Sequence, residues 1–230
     1  MSEIGYKFIT SDMKSKHGNL TWKKGKWNVH KGELKLCEAG LHACETPLQS
    51  LPYAYGDKWF MVEYEGKILK DEDKFCAERM RLIKEIPIKE VVVPFVAAVA
   101  RHVLNFYEKK YPTDNRPRLA IEAAEKYIKN PTQKNKDAAS YAASYAAHAA
   151  SSAASYAAHA ASYAAYAAYA ASSAASYAAY AASYAAHAAS SAASYAAYAA
   201  SYAAHASSYE KKEIAYQNRV LNRLIKKAMK

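Results

Sequence analysis

The sequence predicts an α+β protein: a small N-terminal α/β domain that is mainly β, then a helical elbow, then a long Ala/Tyr-rich helix or helical bundle with 18-residue repeats. Three observations carry that expectation. Residues 1–92 hold short apolar runs broken by Gly and Pro, the punctuation of strands and turns. From Val93 the apolar spacing lengthens to a helical period. From Ala138 to Ala206 the chain uses almost only Ala, Tyr, Ser and His, with no Gly, Pro or formal charge, and Ala-Ala pairs recur at steps of three or four residues. Their mean step of about 3.6 residues is the α-helical period. Composition and period together divide the chain at 1–92, 93–137, 138–208 and 209–230.

In the first segment, Glu33 to Cys37 alternates like a strand, Gly40 punctuates, and Leu41-His42-Ala43-Cys44 begins a second extended piece. Thr46 caps a short helix with Pro47 in its first turn, ending near Tyr55-Gly56. Trp59 to Tyr64 reads as a strand, Glu65-Gly66 as a turn into Lys67 to Lys70, and Glu78 to Ile86 as a further strand before Pro87. Beyond it, Phe95, Val99, Val103, Leu104 and Tyr107 share one helical face, and that helix must stop before Tyr111-Pro112. Thr113-Asp114-Asn115 makes a capping turn, and Pro117 sits in the first turn of the next helix, which carries Leu119 to Ile128 toward Asn130-Pro131.

The block Ala170 to His187 recurs residue for residue at Ala188 to His205, and Ala149 to Tyr166 matches it except that a His and a Tyr trade places. Eighteen residues is five helical turns, so each unit presents the same three sides. Ala fills one side, Ser172, Ser176 and Ser183 form a stripe, and Tyr177, Tyr180 and Tyr184 cover the rest, as Tyr195, Tyr198 and Tyr202 do in the next unit. A methyl face admits a second helix at the short end of the usual spacing of about 8 to 10 Å, and each methyl adds only about 0.8 kcal/mol. Such a face needs a partner along its length, so the six tyrosines and the Ala side are read as binding surface for a second copy of the chain or another protein. A single helix of this length and a bundle folded back at the Ser-Ser pairs both satisfy the period.

At the far end, Ile214, Leu221, Leu224, Ile225 and Ala228 form an apolar stripe flanked by Lys211, Lys212, Arg219, Arg223, Lys226, Lys227 and Lys230. The whole chain carries a formal net charge of +11, which suits nucleic acid or an acidic membrane surface but is also common in ordinary proteins. There is no leader-like start at MSEIGYKFITSD, and the apolar run Val91 to Ala100 is about half the length of a membrane span. Three cysteines, an odd and sparse count, fit a reducing cytoplasm.

His102-Val103-Leu104, Phe106-x-Glu108, Pro112-x-Asp114-x-Arg116-Pro117-Arg118 and Ala120-Ile121-Glu122-Ala123-Ala124, followed by Ala-rich helices containing AAHAA, resemble the family of helical proteins labelled putative immunity proteins. The resemblance implies a protein of the kind found near polymorphic toxin systems and in phages. Cys37-Glu38-x-Gly40-Leu41-His42-Ala43-Cys44, with Tyr53-Ala54-x-Gly56 and Val62-Glu63-x-Glu65-Gly66, is similar to an uncharacterised module of phage and bacterial proteins that precedes Ala- and Ser-rich repeats. A Gly-Leu-His step, a short helix and a strand bearing Glu63 and Glu65 are also loosely similar to the core of ADP-ribosyltransferases. That likeness would give His42 contact with a nicotinamide nucleotide and a Glu the stabilisation of a developing cation.

Asp114, Arg116 and Arg118, with Glu108 and Glu122, are read as an ion-pair network pinning two helices or as an anion site, since a guanidinium fork matches carboxylate or phosphate. Cys37, His42, Cys44, Cys76 and His30 lack a recognised ligand spacing, so no metal and no cofactor are expected. The repeat histidines 148, 159, 187 and 205 interchange with Tyr, which suggests a flat ring with a polar edge. Twelve tyrosines could stack bases, but the repeat has no cation beside them. The expectation is a non-enzymatic interaction protein of phage or bacterial origin. An ADP-ribosyltransferase-like enzyme with a stalk, and nucleic-acid binding through the basic C-terminal helix, are its alternatives.

Overall fold

Backbone polar groups of a small β domain must find partners, and here the hydrogen-bond ladder returns to its own first strand. In the computed structural model, which describes residues 2–17, 20–54, 58–139, 141–142 and 206–230, β4 (Lys58–Lys70) pairs antiparallel with β1 (Glu3–Ile9) and with β5 (Phe75–Ile86). Strand β5 also pairs with β2 (Asn28–Val29) and β3 (Leu41–Ala43). Just past β3, Cys44 exchanges both backbone hydrogen bonds with Tyr6 of β1, at 2.8 and 2.9 Å. The ring β1-β4-β5-β3-β1 is thereby closed. Residues alternating inward from it, among them Ile9, Leu41, Phe60, Val62, Phe75 and Leu82, form one buried cluster around Trp22.

Closure requires Gly5. A Cβ there would stand 2.9 Å from the Cys44 carbonyl oxygen and 3.1 Å from the Phe75 ring. On the outer side, Trp59 stacks on Phe8 at 5.2 Å and donates its Nε1–H to Ser50 Oγ at 3.0 Å. Ser50 comes from α1 (Pro47–Ser50), whose Thr46 cap accepts the Gln49 N–H while the Gln49 side chain accepts the Thr46 N–H. A 3₁₀ turn, Leu51–Tyr53, continues it.

Three local expectations change. Glu33 to Cys37 is not a strand: Lys35 and Ala39 exchange hydrogen bonds around a tight turn, with Cys37 at a left-handed φ of 66°. Glu65-Gly66 is not a chain reversal but an irregularity within one long strand, where Gly66 at φ 87° absorbs the shift between Glu65 and Ile68. The reversal lies further on, where the Asp71 N–H reaches the Lys74 carbonyl. Strand β1 was not anticipated, because its mixed residues lack clean alternation.

Helix α2 (Ile88–Lys110) begins before Val93 and carries Pro94 inside it. Its first half is buried on nearly every side, from Val91 through Ala97, which is why no single stripe marked its start. It ends before Tyr111-Pro112, and α3 (Arg116–Lys129) follows, with Asn130 at its end. Residues 133–139 are again helical, and the C-terminal helix α4 spans Ala206–Ala228. Along α4, Gln217, Val220, Leu221 and Ile225 are buried, while Ile214 is 39% exposed and so drops out of the expected stripe. The chain is therefore α+β, an antiparallel sheet followed by helices.

Two compact units result: Met1–Ile88 with Ile225–Lys230, and Lys89–Leu224. The repeat tyrosines 177, 180, 184, 195, 198 and 202, the repeat histidines, and the choice between one helix and a folded-back bundle lie outside the described residues.

Candidate functional site: the helical elbow

A helix that starts on Arg-Pro-Arg has orphan N–H groups and a cationic first turn, so it needs a carboxylate close by. Asn115 occupies the cap position but makes no side-chain cap bond. Asp114 serves instead: its Oδ1 accepts the Arg116 backbone N–H at 3.1 Å, and its two oxygens take the Arg116 guanidinium at 2.9 and 2.6 Å. The fork and the carboxylate close the elbow on themselves.

Two further pairs tie α3 to α2. Arg118 donates to Glu108 at 2.6 Å, and Arg101 grips Glu125 with bonds of 3.1 and 2.8 Å. Glu122, expected in the network, lies on the exposed side of α3. Beside it Leu119 is 50% exposed between Arg118 and Glu122, an apolar side chain set in a charged face. Because each guanidinium already has a carboxylate, an external anion would have to displace one, whereas the outer side of α3 is open among the described residues.

The Arg101–Glu125 pair was not anticipated, although Arg101 is the single Lys, Arg, Asp or Glu between Glu90 and Glu108. Nor was the stack of His102 on Tyr216, with ring centroids 3.9 Å apart and planes within 17°. No spacing in the sequence connects residues so far apart.

In the sheet unit His42 belongs to β3, opposite Cys76. Its Nε2 accepts the Cys37 N–H at 2.9 Å, which holds the Lys35–Ala39 turn and leaves the ring proton on Nδ1. Burial first, and then Lys7, lower the His42 pKa, so the imidazole is neutral near pH 7. Glu63 and Glu65 pair with Arg81 and Arg79 across the strands, and Trp27 lies over both guanidiniums at 4.7 and 4.9 Å. Ser2 and then Arg81 hold the Glu63 carboxyl below the ordinary range. Along β5, Arg79 stands three residues from Cys76, about 10 Å, so the fold does not bring His42 and the two glutamates into one constellation.

Among the described residues no three His, Cys, Asp or Glu side chains gather as a metal site. Cys37 is exposed, and Cys44 and Cys76 are buried and unbridged. Burial pushes the Cys44 thiol up to about 12, which keeps it protonated.

One charged group was missed altogether. Gly5, Lys7 and Ile9 share the inward face of β1, so Lys7 points among apolar residues. Its ammonium, the enclosed end of a half-buried residue, donates to the His42 carbonyl at 2.6 Å and lies 5.5 Å from the Trp22 ring. Burial lowers its pKa to about 8.

Comparison with known families gives two matches. Residues 82–228 match the profile described as Imm-5 like putative immunity protein, and residues 3–93 match a domain of unknown function, DUF7666. The second match covers the region that resembles a phage-type module, and it does not show that module. No curated protein and no solved structure matches the chain. No helix among the described residues is long and apolar enough to cross a membrane.

Proposed function

The chain belongs to the Imm-5 like putative immunity protein family, and from that premise we propose that it is a non-enzymatic interaction protein of phage or bacterial origin. It binds a protein, either a second copy of itself or a partner it neutralises or shields, in a reducing cytoplasm where its three cysteines stay as thiols. On this reading residues 1–92 are a docking domain, 93–137 an elbow that displays a contact face, 138–208 a long adhesive surface carrying the six tyrosines, and 209–230 a basic helix.

The observation that carries the reading is the outer side of α3. Arg118, Leu119 and Glu122 stand exposed on a helix held to its neighbour by two Arg–carboxylate pairs. An apolar centre with charged flanks, on a rigid support, is the anatomy of a small contact surface. The test is light scattering of the full chain over a range of concentrations, with co-purification from the host. Oligomers or one recurrent partner, both weakened by Leu119→Asp, are expected. A monomer at every concentration that retains no partner would end the proposal. Incubation with labelled NAD checks the enzyme alternative, and the expected result is no transfer.

A further inference from the structure

Two basic stretches lie at opposite ends of the sequence, and the sheet unit brings them to one strand end. The Gly25 N–H bonds to the Leu82 carbonyl of β5 at 2.8 Å, which sets Lys23, Lys24 and Lys26 beside that strand, all exposed. Two residues further along β5, about 7 Å, the Lys84 ammonium bonds to the Met229 carbonyl. The final turn therefore stands on the same strand end with Lys226, Lys227 and Lys230 exposed. Among the described residues no carboxylate pairs with any of these lysines, and the nearest acid in sequence is Glu85, which lines a hollow of about 370 Å³ with Lys84, Pro87 and Met229. Trp27 follows Lys26 directly and rests on Arg79 and Arg81.

We infer that this lysine rim, assembled from the 23–26 loop, Lys84 and the last turn, is a binding face for the phosphate backbone of nucleic acid. Exposed ammonium groups with no carboxylate partner gain from releasing the counterions of a polyphosphate. A protein partner is the poorer fit, because interface centres are depleted in Lys and enriched in aromatic side chains, and no exposed large apolar residue lies on the 23–26 loop or the last turn. A membrane surface is the poorer fit because stable attachment adds buried apolar area to the charge attraction, and neither segment offers an exposed large apolar residue. The rim belongs to the sheet unit and the α3 surface to the helical unit, and the two are tested by different variants, so either can fail without the other.

The test is fluorescence anisotropy of labelled single- and double-stranded oligonucleotides with the full chain. Neutralising about four phosphates makes affinity fall about 100-fold between roughly 50 and 200 mM salt. Lys23→Gln/Lys24→Gln/Lys26→Gln and Lys226→Gln/Lys227→Gln/Lys230→Gln should each weaken binding at least about 10-fold, because both segments form one face. Lys126→Gln/Lys129→Gln/Lys134→Gln, on the helical unit, should leave it unchanged. Affinity that stays flat with salt, or either rim variant binding like the unaltered protein, overturns the inference. So does polyglutamate or a phosphatidylserine vesicle binding more tightly than the oligonucleotides.

Discussion

In the sheet unit, Phe75 lies 4.0 Å from Tyr64 on the neighbouring strand and crowds Gly5 near the start of the chain. In the helical unit, the buried residues Val91, Val92, Phe95, Val96 and Val99 come from one continuous segment. The first core exists only when strands distant in sequence meet in register. The second is prepared by local hydrogen bonding and needs only covering. The difference teaches where each unit is fragile: the sheet at single close approaches, whereas the helices rest on a continuous apolar segment to which partly exposed charged pairs add little.

The strongest break of that contrast is Phe75→Ala, which removes a fully buried ring from the closed sheet and should cost about 3 to 5 kcal/mol. Urea unfolding measures it, and a loss below about 1 kcal/mol would mean that the interior is not packed as described.

Lys7 supplies the next effect. Its folded pKa of about 8 lies below the ordinary 10.5, so below pH 8 both states hold the proton and the native state bears the whole burial cost. Between 8 and 10.5 the unfolded state binds more protons, and stability rises with pH by up to about 2 to 3 kcal/mol through this group. Cys44 opposes it above about pH 9, since its raised pKa favours the native state less as the unfolded thiol ionises. The measurement is therefore the difference between the unaltered protein and Lys7→Met. The advantage of the variant at pH 7 should shrink toward pH 10, and a difference constant with pH would place the Lys7 ammonium in water.

Gly5→Ala forces a methyl against a backbone oxygen that cannot move without opening the ring, and about 1 to 3 kcal/mol should be lost. Thermal melting reads this directly. The smallest effect belongs to the helical unit. A double-mutant cycle on Arg101 and Glu125, both partly exposed, should give a coupling of about 0.5 to 1 kcal/mol that fades with salt. A larger, salt-insensitive coupling would mean that the pair is enclosed, and the two units would then be less different than they look.

Much of the elbow could be read from spacing. Pro112, Asp114, Pro117 and Asn130 mark a helix end, a cap, a first turn and a stop, and each of these acts within a few residues. Thr46 with Gln49 and Pro47 is the same kind of local signal. The partners of Arg101, His102 and Lys7 were not legible, because each is chosen by a segment far away in the chain. Glu63 and Glu65 looked like chemistry in one dimension. In three dimensions the strand opposite supplies an arginine to each, and the sheet holds them apart from His42.

By itself the sequence determined the α+β class, the boundaries of α3 and the α1 cap, because propensity, capping and proline act over one or two turns. Only the tertiary structure decided that the first strands close into a ring, that a lysine faces its interior, and that residues 23–26 and 226–230 share one strand end. Those outcomes depend on register between distant segments, and register is fixed by which residues can be buried together, a choice that no local stretch of chain contains.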